Sequence, residues 1–328
     1  MRRRIFLAAA AAWPTIGWTA RAVAQSKRAP VVIGWLSFGS PETGAVSLAA
    51  FKEGLAALGW KEGAQVVIEA RWAEGRADRV DALAAELAAR KPAVMVGVTL
   101  RMAAALNKAA PTTPIVQIAG ANPVTAGLAA SFARPGGMVT GLTGITDELS
   151  EKAFEFLVAA MPKLRRPAVL IDRNAVNFAL QTKAVQRAAA RHALDVRFAE
   201  VGRAEEIEAA LAKVAKEGTE ALVVTASPML TYERRRILKL AAAYRWPVLG
   251  GVRAWADDGA LLSYGIDPTV NPRRAAYYVD RILKGTKPGD LPIEQPRQVE
   301  LTINRKTATA LGITVPQELL MRADKVIE

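Results

Sequence analysis

The chain has 328 residues, enough for two domains of ordinary size, and 51% of them are hydrophobic, enough for a core in each. It contains no cysteine, which excludes disulfides, thiolate metal sites and a lipidated N-terminal cysteine. The formal net charge is +13, but basic and acidic residues are interspersed along the predicted helices, which argues against a nucleic-acid partner.

The N-terminal segment has the features of a secretion signal. Three arginines precede an apolar stretch, and an Ala-Val-Ala cleavage sequence ends at Ala24. We therefore expect a signal peptide over residues 1–24 and a mature protein in the periplasm. The arginine pair at positions 3 and 4 also fits a twin-arginine signal. A membrane anchor is the alternative, which the interruption of the apolar stretch by Pro14 and Gly17 disfavours.

After residue 25 the chain alternates short apolar runs with segments of helical periodicity. The first series predicts strands at 31–36, 65–71, 93–98 and 115–118, with helices over 48–58, 79–90 and 102–109. Continuous apolar strands linked by helices indicate a parallel sheet that is covered on both faces.

The pattern restarts after a break at residues 134–137. This series predicts helices at 150–161, 178–192, 204–216, 232–244 and 271–283, and strands at 168–172, 196–201, 221–225, 247–250, 260–264 and 299–303. Two series of similar size predict an α/β fold of two doubly wound parallel-sheet lobes. Ligands of such sheets bind beyond the C-terminal strand ends, so we expect a cleft between the lobes.

The loop after the first strand has glycines at the spacing of a phosphate-binding loop. Four residues separate Gly39 from Gly44, but Ala45 and Val46 stand where that motif needs lysine and serine or threonine. Nucleotide chemistry is therefore not expected. What remains is a helix N-terminus, whose free N–H groups and dipole attract an anion.

Motifs for catalysis are missing from the sequence. His192 is the only histidine, at the end of a predicted helix, and no H-E-x-x-H, strand-borne G-x-S-x-G or strand-borne G-x-G-x-x-G occurs. Without a nucleophile beside a base, a carboxylate pair or a metal motif, the sequence predicts a binding protein rather than an enzyme, with no cofactor.

Several long segments resemble one family. They are FKEGLAALGWKEGAQVVIEARWAEGRADRVDALAAELAARKPAVMV, IAGANPVTAGLAASFARPGGMVTGLTG, YERRRILKLAAAYRWPVLGGVRAWADDGALLSYG and the last stretch from AAYYVDRILKGTKPGDLPIEQP to the C-terminus. The chain resembles ABC-transporter substrate-binding proteins of the tryptophan/tyrosine type. The resemblance implies a type I periplasmic binding protein fold, in which two lobes close around one small ligand on a hinge of three crossings.

On this basis we expect lobe I to comprise residues 25–145 and 268–290, and lobe II residues 146–267 and 291–328. The crossings are expected near 143–146, 266–269 and 288–292. The implied function is capture of a small carboxylate ligand, such as an aromatic amino acid, by a monomer that delivers it to an ABC permease in the inner membrane. A ligand sensor for a membrane receptor, or a binder of another aromatic acid, is the alternative.

The resemblance places ligand contacts in the loops that follow the strands. The candidates are Phe38, Ser40, Pro41, Glu42, Thr99 and Asn122 in lobe I, and Asn174, Asn177, Ser227, Arg253 and Tyr264 in lobe II. We expect Arg253 and the Ser40 and Thr99 loops to hold the ligand carboxylate together.

Each candidate also has a structural alternative. Ser40 and Thr99 could cap helices, and Asn122 could be a turn residue. Arg253 could pair with a nearby aspartate, either Asp257 or Asp258. The aromatic candidates could belong to the core.

Overall fold

A computed structural model of the chain describes residues 29–144, 147–175, 177–295 and 299–328. The predicted signal peptide, residues 1–24, lies outside the described residues. The described chain forms two α/β lobes, each built around its own sheet, as predicted from the alternating pattern.

Lobe I contains a five-stranded parallel sheet with the order β2-β1-β3-β4-β5. Its strands are β1 (Val31–Ser37), β2 (Val66–Trp72), β3 (Val94–Gly97), β4 (Ile115–Gln117) and β5 (Val139–Gly141). Its helices are α1 (Pro41–Ala57), α2 (Val80–Ala89), α3 (Leu100–Ala109) and α10 (Val270–Leu283).

Helices cover both faces of the lobe I sheet. On one face, α1 and α10 bury Trp35 and Phe51, whose ring centroids are 5.2 Å apart. The two helices lie so close that a Cβ on Gly54 of α1 would be 2.8 Å from the backbone oxygen of Arg273 in α10. The other face packs against α2 and α3 through apolar side chains such as Leu87 and Met102.

Lobe II contains a seven-stranded sheet with the order β12-β11-β10-β9-β8-β6-β7. Its strands are β6 (Pro167–Asp172), β7 (Arg197–Val201), β8 (Ala221–Val224), β9 (Val248–Val252), β10 (Leu262–Ile266), β11 (Glu300–Asn304) and β12 (Lys325–Ile327). Its helices are α4 (Asp147–Ala160), α5 (Phe178–Arg191), α6 (Ile207–Ala215), α7 (Pro228–Tyr232), α8 (Arg234–Ala243), α9 (Arg253–Asp257), α11 (Arg305–Leu311) and α12 (Gln317–Met321).

The chain passes between the two sheets after β5, after β10 and before β11. The third crossing lies later than predicted, because residues 291–294 still belong to lobe I. The Glu294 N–H donates to the Gly141 carbonyl at 2.9 Å, and the Thr140 hydroxyl donates to the Leu291 carbonyl at 2.6 Å. Arg274 of α10 also binds the Glu294 carboxylate through two hydrogen bonds, at 3.0 and 2.6 Å.

Other differences from the predicted elements concern short or reversed segments. The predicted helix 232–244 is α8, whereas the five-residue α7 and α9 and the three-residue β5 were not predicted, since so few residues show no period. Strand β11 runs antiparallel to β10, unlike the other paired strands. The reason is geometric: β10 ends at the second crossing, and β11 begins where the third crossing re-enters the same lobe.

None of the helices in the described part of the chain is both long and apolar enough to span a membrane. The basic run on α8 is only partly solvated. Arg234 binds Asp258 at 2.6 Å and its side chain is 11% exposed, whereas Arg235 beside it is 79% exposed.

Candidate functional site

The loops at the strand ends of the two lobes meet each other. Gly75 follows β2 of lobe I, and Tyr232 ends α7, which follows β8 of lobe II. A Cβ on Gly75, whose φ is +78°, would lie 2.7 Å from two ring carbons of Tyr232. One continuous buried apolar cluster accordingly includes side chains of both lobes, among them Phe38 and Met229. The loops after the strands of the two lobes therefore face each other, and this contact is the apolar boundary between them.

Phe38 lies in this apolar boundary. Its side chain is buried, and its carbonyl accepts the Gly75 N–H at 2.8 Å. The neighbouring Gly39 carbonyl accepts the Glu74 N–H at 3.0 Å, so the loops after β1 and β2 are held as one unit. Phe38 therefore packs between the lobes, next to the cleft, as a structural residue.

The N-terminus of α1 is capped from within. Ser40 accepts the Thr43 N–H and the Thr43 hydroxyl accepts the Ser40 N–H, which forms a capping box, with Pro41 in the first turn. Glu42 is exposed, and a hydrogen bond with Ser40 lowers the pKa of its carboxyl. A carboxylate already stands at this helix end, so the first predicted anion site has a negative side chain of its own.

Thr99 is placed differently. It precedes α3 in an extended conformation, yet its side chain makes no capping bond, and its Oγ1 is buried without a hydrogen-bond partner among the described residues. Gly120, at a φ of +94°, approaches this helix end so closely that a Cβ there would lie 3.1 Å from the Leu100 nitrogen. A hydroxyl and the first N–H groups of a ten-residue helix are therefore available together in lobe I.

Asn122 and Gln117 shape the loop after β4. The Asn122 side-chain oxygen accepts the Val124 N–H at 2.8 Å, which is the turn role that the sequence left open. Gln117 was not predicted. Its Nε2 donates to the carbonyls of Ala121 and Leu142, at 3.1 and 3.2 Å, and its buried Oε1 has no partner among the described residues.

The chief polar group of lobe II is Asp172, which sequence reasoning missed. It ends β6, its residue is 8% exposed, and among the described residues its side-chain hydrogen bonds come from neutral groups: the Ser227 hydroxyl at 2.7 Å and the Asn174 N–H at 2.9 Å. Ser227 also accepts the Leu230 N–H at 3.4 Å. The buried Ser227 hydroxyl therefore both donates and accepts a hydrogen bond within the protein, and it orients Asp172. A signal did exist, since Asp172 is the charged last residue of an otherwise apolar buried strand.

Asn174 and Asn177 lie on the loop that follows Asp172. The Asn174 Nδ2 donates to the Gly202 carbonyl at 3.0 Å, and Asn177 precedes α5 without a side-chain capping bond. Behind them, Gln181 donates to the Ala226 carbonyl at 2.8 Å, and its buried Oε1 lacks a partner among the described residues. Gln181, like Gln117, was not predicted.

Arg253 already has carboxylate partners. Its Nη1 lies 2.8 Å from Asp267 Oδ2 and 3.5 Å from Glu300 Oε2, and its Nε lies 3.5 Å from Asp257 Oδ2. Pairing with Asp257, which the sequence left open, is thus present, together with two partners that it did not suggest. Burial would raise the pKa of Asp267, but hydrogen bonds from Thr269 and the charge of Arg253 lower it.

Tyr264 lies away from the strand ends. It is in the middle of β10, and its ring packs edge to face on Phe156 of α4, with centroids 4.9 Å apart. Burial raises the pKa of its hydroxyl. Tyr264 therefore packs against the core of lobe II, which is the structural alternative for this residue. Side chains in the middle of a strand point to the two faces of the sheet and not along the strand toward its end.

This geometry defines a class of protein: a two-lobed α/β binding protein of the type I periplasmic class, with polar groups on the strand ends of both lobes. A family model described as ABC transporter substrate binding protein matches residues 45–327. The chain belongs to this family. It is accordingly a substrate-binding protein and not an enzyme, of a kind that binds small molecules, works with ABC permeases and is typically exported.

The chain is similar to a tyrosine-binding protein of Clostridioides difficile strain R20291, with 25% identity over 270 residues that cover 80% of this chain and 75% of that protein. Among solved structures, the ABC domain from Streptococcus pneumonia in complex with L-Trp has a TM-score of 0.84 and 25% identity, over 91% of this chain and 100% of that one. A conserved domain protein of Vibrio cholerae gives the same four values.

Proposed function

We propose that the mature chain is the periplasmic solute-binding component of an ABC importer, which captures an aromatic amino acid between its lobes and delivers it to a permease in the inner membrane. The observation that supports an amino acid as the ligand is a pair of groups, one on each lobe, that complement its two charges. Asp172 in lobe II is a buried carboxylate with neutral hydrogen-bond partners, and Thr99 in lobe I is an unpartnered hydroxyl at a helix N-terminus.

An α-amino acid matches both groups. Its ammonium group suits Asp172, because a charge-assisted hydrogen bond to a poorly solvated carboxylate is strong. Its carboxylate suits Thr99 and the first N–H groups of α3, where the helix dipole favours a negative charge. Bound in this way, the ligand would connect the lobes and favour closure about the crossings.

Two observations support an aromatic side chain on the ligand. The relatives named above are described with tyrosine and tryptophan, and the strand-end loops of this chain carry Phe38 and Tyr232 on the apolar side of the cleft. We propose that the ligand ring lies on that side. Asn122, Asn174 and Asn177 line the polar side, the Ser40–Glu42 turn forms its outer edge, and Ser227 holds Asp172 in place.

A thermal-shift screen of the purified mature chain tests this function. We expect L-tryptophan, L-tyrosine or L-phenylalanine to raise the melting temperature, because a ligand at 100 times its dissociation constant adds about 2.7 kcal/mol of stability. Matched controls are 3-indolepropionic acid, which lacks the ammonium group, and tryptamine, which lacks the carboxylate. Stabilisation by sugars or nucleosides alone would contradict the ligand class, and chemical turnover of a stabilising compound would contradict a binding protein.

We also propose that residues 1–24 are removed on export and that the mature protein is a monomer. The support is the arginine-rich, apolar leader with its cleavage sequence at Ala24. N-terminal sequencing of protein recovered from the periplasm should begin at Gln25. A retained leader in the membrane fraction would instead indicate an anchor.

A further inference from the structure

The ion cluster around Arg253 connects the second crossing to both lobes. Asp267 is the first residue after β10, within that crossing. Its Oδ2 accepts from Arg253 Nη1 at 2.8 Å, and its Oδ1 accepts from both the N–H and the hydroxyl of Thr269, each at 2.7 Å. Arg253 begins α9 of lobe II, and Thr269 precedes α10 of lobe I. One carboxylate thus bridges the two lobes.

Besides Asp257, which lies on the same helix and is 3.5 Å from Arg253 Nε, Glu300 offers the Arg253 Nη1 group a partner within lobe II. It begins β11, paired with Gly265 of β10, so its position is fixed by the sheet and not by the crossing. Its Oε2 is 3.5 Å from Arg253 Nη1, within ion-pair range, but it is buried and makes no hydrogen bond among the described residues. Arg253 Nε is likewise buried without a hydrogen bond. The cluster therefore has more acceptors than Arg253 satisfies in this arrangement.

We propose that Arg253 is a hinge clamp with two alternative partners. In the arrangement described, with the lobes in contact at Gly75 and Tyr232, Arg253 binds Asp267 and stabilises this lobe orientation. When the second crossing rotates, Arg253 releases Asp267 and takes Glu300, which remains beside it in lobe II. The balance between the two carboxylates sets the population of the lobe orientation that binds ligand, and ligand affinity follows that population.

The clamp rests on the proposed function, because it controls the affinity for the ligand, but lobe orientation can be measured without knowing which ligand is bound. The chain has no cysteine, so Val46→Cys in α1 and Leu180→Cys in α5 would give one label on each lobe. Both positions are well exposed, at 54% and 52%. The distance between spin labels at these sites reports the lobe orientation in the protein without added ligand.

In this labelled protein, Asp267→Asn removes the partner on the crossing and Glu300→Gln removes the competing partner. We expect Asp267→Asn to shift the distance distribution away from the arrangement described here and Glu300→Gln to shift it in the opposite direction. With a compound identified by the thermal-shift screen, Asp267→Asn should weaken affinity about five- to tenfold, as for a partly exposed ion pair coupled to a population shift.

The Arg234–Asp258 pair is a matched control. Arg234 begins α8 and Asp258 directly follows α9, so this hydrogen-bonded arginine–aspartate pair is in the same lobe but away from the crossings. Asp258→Asn should lower the melting temperature and leave the label distances unchanged. If Asp267→Asn behaves in the same way as Asp258→Asn, the Arg253 cluster is only structural and the clamp is wrong.

A direct role of Arg253 in ligand binding gives a third pattern. In that case Asp267→Asn would free the guanidinium and leave affinity equal or higher, whereas Arg253→Met would abolish binding with unchanged label distances. That pair of results would also overturn the clamp. Failure of every amino acid in the screen would overturn the proposed ligand class, while opposite distance shifts would still support the clamp.

Discussion

The variant Asp172→Asn is expected to lose about 2–5 kcal/mol of binding free energy for an aromatic amino acid, the usual cost of removing one member of a buried, hydrogen-bonded charge pair. Asparagine has nearly the same shape: its side-chain oxygen can accept the Asn174 N–H while its NH2 group donates to the Ser227 oxygen, so the local structure should persist. What is lost is the negative charge that we propose faces the ligand ammonium group. Isothermal titration calorimetry on the variant and the parent measures this difference.

Two comparisons give this experiment its specificity. The deaminated ligand 3-indolepropionic acid should bind the Asp172→Asn variant as well as the parent or better, because no ammonium group is present and a carboxylate repulsion is removed. Asp258→Asn, a change of the same chemistry outside the cleft, should leave both affinities unchanged. Equal weakening of the amino acid and the deaminated acid would mean that Asp172 acts only by holding the Ser227 loop.

The second large effect concerns stability. Gly265 of β10 lies close to the backbone of β9, and a Cβ placed there would be 1.8 Å from the Gly251 carbonyl oxygen. That neighbour is backbone and cannot rotate away. We therefore expect Gly265→Ala to destabilise the protein by about 3 kcal/mol, at the upper end of overpacking effects, in chemical denaturation followed by tryptophan fluorescence.

Gly251 itself supplies the control. A Cβ at Gly251 would meet nothing nearer than the Ala226 side chain at 4.0 Å, so Gly251→Ala should change stability little. The two glycines are in adjacent strands and differ only in the space around them. If both variants unfold at the same denaturant concentration, the close approach of β9 and β10 does not limit stability at this site.

Periodicity predicted the sheet-forming segments well because buried parallel strands are continuous apolar runs. It placed Thr99 at a strand end for the same reason. Periodicity does not predict contacts between residues that are distant in sequence. Nothing near Arg253 indicated that the closest carboxylate to this arginine would be Asp267, or that Glu300 would lie beside it. Residues 291–294 were assigned to the wrong lobe because their bonds to β5 join segments about 150 residues apart.

The polar groups of the cleft show a second limit. Gln117 and Gln181 each donate their amide to backbone carbonyls, and such bonds become visible only once the loops are placed. Asp172 could have been found, since it is the charged last residue of a buried apolar strand. The contact between Gly75 and Tyr232 could not, because it depends on the relative orientation of two lobes.

The packing of α10 against α1 constrains the order in which the protein can fold during synthesis. Lobe I buries Phe51 and Leu55 beneath side chains of α10, including Ala276 and Val279, yet all of lobe II up to β10 is translated between these two helices. The first lobe therefore cannot complete its core when its own strands have left the ribosome, unlike a domain built from one continuous segment.

During that interval, more than 200 residues are synthesised while the apolar face of lobe I that α10 covers stays exposed. Such a state suits an export machine that needs unfolded chains, and it suits holdase chaperones. Chains truncated before residue 270 should be digested in lobe I by limited proteolysis, whereas the full chain should resist. Protection of the truncated lobe would show that its core closes without α10.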